Sequence, residues 1–236
     1  MQYKIELPEI GGHIAVVKAK TSRLSIKIDS NGLAKIRAPY LVTKAQIINF
    51  INQHKEWIVS HQQKARSSLI KFRDGSVFAG IKLNIETGGG IKNSSSFNNF
   101  DDILTIKLKH GLSADNEDAQ IYIKKTFKAK LNLVAKPKLE KMLCVQAQRI
   151  DFEFSSFKNS VMKSRWGSCD SKKNIHLNSL LLMLPDDLIN YVIIHELAHT
   201  KQMNHSPDFW HLVEELYPSH KEAKLKLKKY KIASLF

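Results

Sequence analysis

Residues 195–205 read "HELAHTKQMNH" and gather three of the chain's ten histidines into eleven residues. Glu196 stands beside the first of them. On an α-helix, residues i and i+4 share a face one turn apart, so the imidazoles of His195 and His199 can converge on one metal ion. Glu196 projects about 100° further round the helix. It therefore reaches a water on that ion rather than the ion itself, which is the HExxH logic of two ligands and a general base. A catalytic site takes a third protein ligand and leaves one position open. His205 is the candidate, but a continued helix would carry it about 240° round, to the wrong side. The helix must stop first. Asn204 suits the left-handed position that follows a helix end, and Ser206, Pro207 and Asp208 suit the N-cap, N1 and N2 of a new helix, "SPDFWHLVEELY". His205 then falls in the turn and can swing back.

The alternative is a buried helix whose histidines only satisfy hydrogen bonds. That leaves two imidazoles and a carboxyl on a buried face, which is costly without a partner. Three neutral imidazoles suit Zn²⁺ best, although Ni²⁺, Co²⁺ or Mn²⁺ could take the same nitrogens. Water on such an ion ionises near pH 7. Glu196 would take its proton and pass it to a leaving amine, so amide hydrolysis is the expected chemistry. Two other functions stay open. A basic cleft with the same metal could hydrolyse a phosphoanhydride such as a nucleotide. A nucleic-acid-binding module could carry the metal structurally, but such a site needs no base and closes with a fourth ligand.

The elements that must position these residues can be read along the chain. "HIAVVKAK" (13–20), "RLSIKID" (23–29) and "LAKIRAP" (33–39) read as strands, with "DSNG" (29–32) as a hairpin turn. Thr43 can cap one helix over 43–66, with Ile47, Ile48, Ile51, Trp57 and Ile58 on its apolar face and Trp57 paired with Phe50. Strands return at 76–87 and 102–110, around "GGGIKNSSSFNNF" (88–100), which reads as a polar, mobile loop. From 113 a capped helix begins, and Pro137 should kink or interrupt it. "RIDFEF" (149–154) reads as a strand, and 160–184 as two strand arms around "CDSKKN". Pro185, Asp186 and Asp187 then open the helix that carries His195, reading on to 203. The expected class is α+β: a β-rich N-terminal subdomain with one helix over 1–112, then a helix–sheet–helix domain over 113–236. No internal repeat is evident.

Bulk composition narrows the setting. A hydrophobic fraction of 43% and a charged fraction of 25% are those of a globular protein. No apolar run approaches the roughly 18 residues of a membrane helix, and the opening "MQYKIELPEI" lacks the features of a signal or transit peptide. Two cysteines, Cys144 and Cys169, make no disulfide framework. A cytoplasmic location is expected. The net charge of +15 favours acidic partners or nucleic acid. It ends in a Lys-rich tail where Leu216, Ala223, Leu227 and Tyr230 could form a narrow apolar stripe.

The stretch 164–210, with Arg165-Trp166-Gly167-Ser168-Cys169 ahead of HELAH and then Asn204-His205-Ser206-Pro207 and Phe209-Trp210, resembles the YgjP-like metallopeptidases, a bacterial family related to the SprT-like and WLM-type zinc proteases. "FINQHKEWI" and "FRDGSVFAGIKLNI" extend the resemblance upstream. It implies a small zincin-like core, His195, His199 and His205 as metal ligands, Glu196 as catalytic base, and a protein or peptide substrate. The SprT-like kinship would also suit a nucleic-acid setting. Gln202 stands where metzincins place glycine, and His176 stands where the family pattern has arginine. Arg165, Trp166, Gly167 and Ser168 are candidate substrate-binding residues on an edge strand, or else a core tryptophan and a bulge. Cys169 reads as an inert thiol, His211 and His220 as solvent-facing, and Phe209 and Trp210 as core.

Overall fold

The computed structural model describes residues 2–7, 12–29, 32–67, 70–230 and 232. The described residues divide into two compact units, one within 1–70 and one within 71–232. The expected boundary at 112/113 falls inside the second unit, just before its longest helix.

In the first unit, β1 (Gln2–Leu7), β2 (Gly12–Lys18), β3 (Ser25–Ile28) and β4 (Ala34–Ala38) form a sheet in the order β1-β2-β4-β3. The tip of the expected DSNG turn, 30–31, lies outside the described residues. Its flanks behave as a hairpin: Asp29 Oδ1 accepts from Leu33 N, and Gly32 takes φ +75°. Thr43 caps the following helix in a full capping box. The helix expected over 43–66 is two, α1 (Lys44–Gln53) and α2 (Lys55–Ser67). The cause is His54, whose Nδ1 bonds the Phe50 carbonyl at 2.8 Å and displaces the amide that would continue the helix. Trp57 does not join the buried face. It is 41% exposed and stacks on His61, while Phe50 contacts His54, so these two aromatics do not form the expected pair. Ile47, Ile51 and Ile58 do enter the core.

The second unit opens with β5 (Val77–Phe78), β6 (Ile81–Glu86), β7 (Ser94–Asn98) and β8 (Ile103–Lys107), in the order β5-β6-β8-β7. This repeats the topology of the first sheet. In each, the first two strands are antiparallel, the second and fourth parallel, and the third and fourth antiparallel. The repeat is one of arrangement and left no mark in residue types. β7 occupies part of the expected mobile loop. It is an edge strand with little buried side chain, so its signal is backbone pairing to β8 rather than hydrophobic alternation.

A 33-residue helix, α3 (Glu117–Arg149), follows and runs through Pro137 without interruption. Leu133, whose carbonyl loses its donor to the proline ring, is 67% exposed, so that group can be left to water. The buried residues Ala119, Ile123, Phe127, Leu131, Ala135, Leu139, Leu143 and Ala147 recur every fourth position. Each step of four drifts about 40°, so the stripe winds roughly 280° around the helix. Its first half meets Phe72 and Phe78 near the sheet, and its second half enters the core around the active-site helix.

"RIDFEF" is not a strand. α3 continues through Arg149, Asp151 turns the chain at φ +54°, and Ile150, Phe152 and Phe154 lie on the core as a loop. The strand comes next, β9 (Ser156–Ser160). It joins β10 (Gly167–Cys169) and β11 (Asn174–Asn178) in the order β10-β11-β9. The hairpin around CDSKKN is as expected, closed by Asp170, which accepts from the amides of Lys172 and Asn174. "SLLLM" (179–183) is a 3-10 helix instead of the second arm's extension.

The last helices are α4 (Asp186–Ala198), α5 (Pro207–Leu216) and α6 (His220–Leu227). Nine of the thirteen residues of α4 are buried, on every side of the helix. It is the centre of the unit, packed by α3, α5, α6, β10 and β11. The basic tail is docked there through Ala223, with Leu227 and Tyr230 against the same core. Among the described residues no helix is long and apolar enough to cross a membrane.

Candidate metal centre

Three residues from two elements meet. His195 lies in the last turn of α4, and His199 is its C-cap. The helix therefore ends earlier than 203. Asn204 is not in the left-handed region, so the expected C′ role fails. The helix stops instead through a tight turn, in which the amides of Lys201 and Gln202 both bond the Ala198 carbonyl. The second half of the expectation holds: Ser206 caps α5 by accepting from Phe209 N, with Pro207 at its first position. Between these ends His205 swings back, and its Nε2 lies 3.2 Å from His195 Nε2.

Ligand atoms of His195, His199 and His205 all lie within 4.8 Å of one another, so the trio could hold a metal ion. Two ligands at Zn–N distances of about 2.05 Å and a tetrahedral angle stand about 3.3 Å apart, close to the observed His195–His205 spacing. Without a cation, two imine lone pairs at that distance repel unless they share a proton. His199 Nδ1 donates to the Gln202 carbonyl at 2.9 Å, which fixes the tautomer and leaves Nε2 free. His195 Nδ1 is buried and has no hydrogen-bond partner among the described residues. Among the described residues no fourth Cys, His, Asp or Glu joins the group, so the donor set fits a site with an open position.

Burial tunes the groups. It drives the His195 pKa down to about 3, with the neighbouring His199, His205 and Lys224 adding to the effect. His199 is lowered for the same first reason. Both rings are thus neutral and available at neutral pH. Glu196, 5% exposed, is pushed up to about 8 by desolvation, and Arg165 pulls it part-way back. These shifts set a pH dependence for the metal-free protein. A carboxyl whose folded pKa lies above its unfolded value stabilises below about 4.5, and that stability is lost as pH rises towards 8. His195 acts oppositely: its contribution is present above 6.5 and is lost as pH falls towards 3. Thermal melts in chelator should show wild-type protein losing on the order of a few kcal/mol between pH 5 and 8 relative to Glu196→Gln. Parallel curves for the two proteins would contradict the burial of an ionisable Glu196.

The candidate substrate residues line this centre. β10 is the edge of its sheet and packs on α4. Gly167 is not a bulge, because its three-residue strand pairs in regular register with β11. It is glycine because a Cβ there would stand 2.6 Å from Glu196 Oε1 and 2.7–2.8 Å from Cγ and Cδ. Arg165, Trp166 and Gly167 join Tyr191, Val192, His195, Glu196, His205, Trp210, Lys224 and Leu227 around a cleft of about 470 Å³. Ser168 is in β10 but not in that lining. A hollow of about 520 Å³ between α3 and α4 contains none of this chemistry.

Sequence reasoning missed Tyr191, Val192, Lys224 and Leu227 and placed Trp210 in the core. Tyr191 had a signal, since it precedes His195 by four and shares its face. Lys224 and Leu227 had none, because only the docking of α6 brings them in. Phe209 is core as expected, its ring stacked on His199 at 4.4 Å. His211 is exposed, but His220 is buried, stacked on Trp210, which in turn stacks on His205. His176 is on β11 and bonds the Ser160 hydroxyl at 2.8 Å. Burial first, then Glu196, raises the Cys169 thiol to about 11, which disfavours the reactive thiolate.

Residues 22–230 match the family described as YgjP-like, metallopeptidase domain. The chain belongs to this family. The family's domain covers nearly the whole second unit and residues 22–70 of the first, so β3 and β4 fall within it while β1 and β2 precede it. No curated protein matches the chain. Among solved structures, the metallopeptidase zymogen of Pyrococcus abyssi abylysin is 26% identical, over 39% of this chain and 92% of that one, with a TM-score of 0.36. The metallopeptidase zymogen of Methanocaldococcus jannaschii jannalysin is 21% identical, over 39% and 94%, with a TM-score of 0.35.

Proposed function

We propose that this protein is a metal-dependent peptidase, with His195, His199 and His205 as ligands, Glu196 as general base and zinc as the metal. The observation that carries this reading is the convergence of three imidazoles with no fourth ligand among the described residues, beside a buried carboxyl that is outside the ligand set. The bound metal would supply Lewis acidity, polarising a peptide carbonyl and making water acidic near neutral pH.

The chain's own residues do the rest. Glu196 takes a proton from the attacking water on its carboxylate and later delivers it to the leaving nitrogen. In the metal-free protein burial raises its pKa, which favours holding the proton between the two steps. The unpaired edge of β10 can add an extended peptide as a further strand, through the backbone of Gly167 and Ser168. Arg165 and Trp166 border that path.

The test is hydrolysis of mixed unstructured peptides against nucleotides, each with and without chelator. Peptide cleavage that chelator abolishes and zinc restores is expected. Turnover of nucleotides alone would favour the phosphoanhydride reading. No cleavage of either substrate by metal-loaded protein would favour a structural metal in a nucleic-acid-associated module. A cytoplasmic setting remains part of this proposal.

A further inference from the structure

The cleft around the candidate centre has an unbalanced charge. Its lining contains two permanent cations, Arg165 before β10 and Lys224 on α6, against a single acid, Glu196, which is buried. Neither cation meets a carboxylate among the described residues. The neighbours of Lys224 on the same helix are neutralised: Lys221 bonds Glu214 at 2.9 Å, and Lys226 bonds Glu222 at 2.9 Å with Asp187 at 3.9 Å. Lys224 instead sits 3.9 Å above the Trp210 ring, exposed, with its ammonium at the cleft. Its charge is felt at His195, and that of Arg165 at Glu196. The remaining walls are apolar: Trp166, Tyr191, Val192, Trp210 and Leu227. Tyr191 is 4% exposed.

We infer that the cleft selects acidic peptide segments, with a large apolar side chain against the Tyr191–Val192–Leu227 wall and carboxylates on both sides meeting Arg165 and Lys224. This rests on the peptidase reading and names the substrate class for that site. Two cations facing a low-dielectric wall attract a carboxylate more strongly than the same charges on open surface. Single-stranded nucleic acid also uses aromatic platforms with cations, but here the cations flank a strand edge able to pair a peptide backbone and a carboxyl suited to amide chemistry.

The experiment uses full-length, zinc-loaded Glu196→Gln protein and fluorescein-labelled dodecapeptides with a central Leu-Phe, flanked by glutamates or, in the matched peptide, by glutamines. Anisotropy should give affinity for the acidic peptide about tenfold higher at low salt. Lys224→Glu and Arg165→Glu should each weaken binding of the glutamate peptide far more than that of the glutamine peptide, so that most of the preference is lost. Lys224→Met, which keeps the stem on Trp210, should behave like Lys224→Glu, and Lys224→Arg should restore binding. Lys125→Glu, the same change of net charge on an exposed residue of α3 outside the cleft, should keep the preference. Equal binding of both peptides, loss of preference in Lys125→Glu equal to that in Lys224→Glu, or tighter binding of an oligothymidylate of matched charge would each overturn the inference. Selective binding of the acidic peptide that wild-type enzyme fails to cut leaves charge selection standing and removes the peptidase reading. Cleavage and binding of both peptides alike does the reverse.

Discussion

Glu196→Gln should leave the metal in place and reduce peptide hydrolysis by about 10²- to 10⁴-fold, the usual contribution of a positioned proton-transfer group. Glutamine keeps the volume and the hydrogen-bonding reach but cannot carry the proton. The ligand set does not include residue 196, so metal content should match wild type. The substitution also removes a buried carboxyl that resists ionisation, so the variant should be at least as stable as wild type at pH 8. Activity within threefold of wild type would defeat the assigned role, however well the metal is held.

Gly167→Ala should be nearly as damaging although residue 167 has no side chain to lose. The added methyl would overlap Glu196 Oε1, Cγ and Cδ, all under 3.0 Å. The carboxyl is confined, being 5% exposed between β10 and α4, so it cannot swing into water without leaving the cleft. A displacement of about 1 Å at a reacting group can cost about 100-fold. The loss should fall on kcat, with metal content unchanged. The decisive comparison is in the Glu196→Gln background, where adding Gly167→Ala should cost little further activity, because residues acting through one group are not additive. A second full loss there would mean that Gly167 acts on the peptide path through β10 rather than through Glu196.

The geometry of the histidine cluster was legible where it was local. His195 and His199 are one turn apart on a helix that the pattern predicts, and Ser206-Pro207 starts the next helix where the turn requires it. The resemblance carried by Arg165–Cys169 and Asn204–Trp210 agrees with the family match. What was not legible depends on contacts distant in sequence. Nothing near Gly167 announces that a glutamate side chain will lie against its Cα. Nothing in "HKEAKLKL" says that Lys224 will face the centre while Lys221 and Lys226 find acids. α3 was legible as a helix, but not the rotation of its buried stripe to serve two partners in turn, nor its run through Pro137, where Leu133 one turn earlier is exposed. β7 was misread for the opposite reason: an edge strand of serines has backbone pairing and almost no hydrophobic pattern.

The claim beneath all of this is that three imidazoles share one ion and leave a position for solvent. Zinc X-ray absorption on the full-length protein tests it most directly, with His205→Ala alongside. The expected result is one zinc per chain with three nitrogens and one oxygen at about 2.0 Å, and loss of one nitrogen in the variant. A zinc closed by four protein ligands, or a first shell unchanged in His205→Ala, would contradict it.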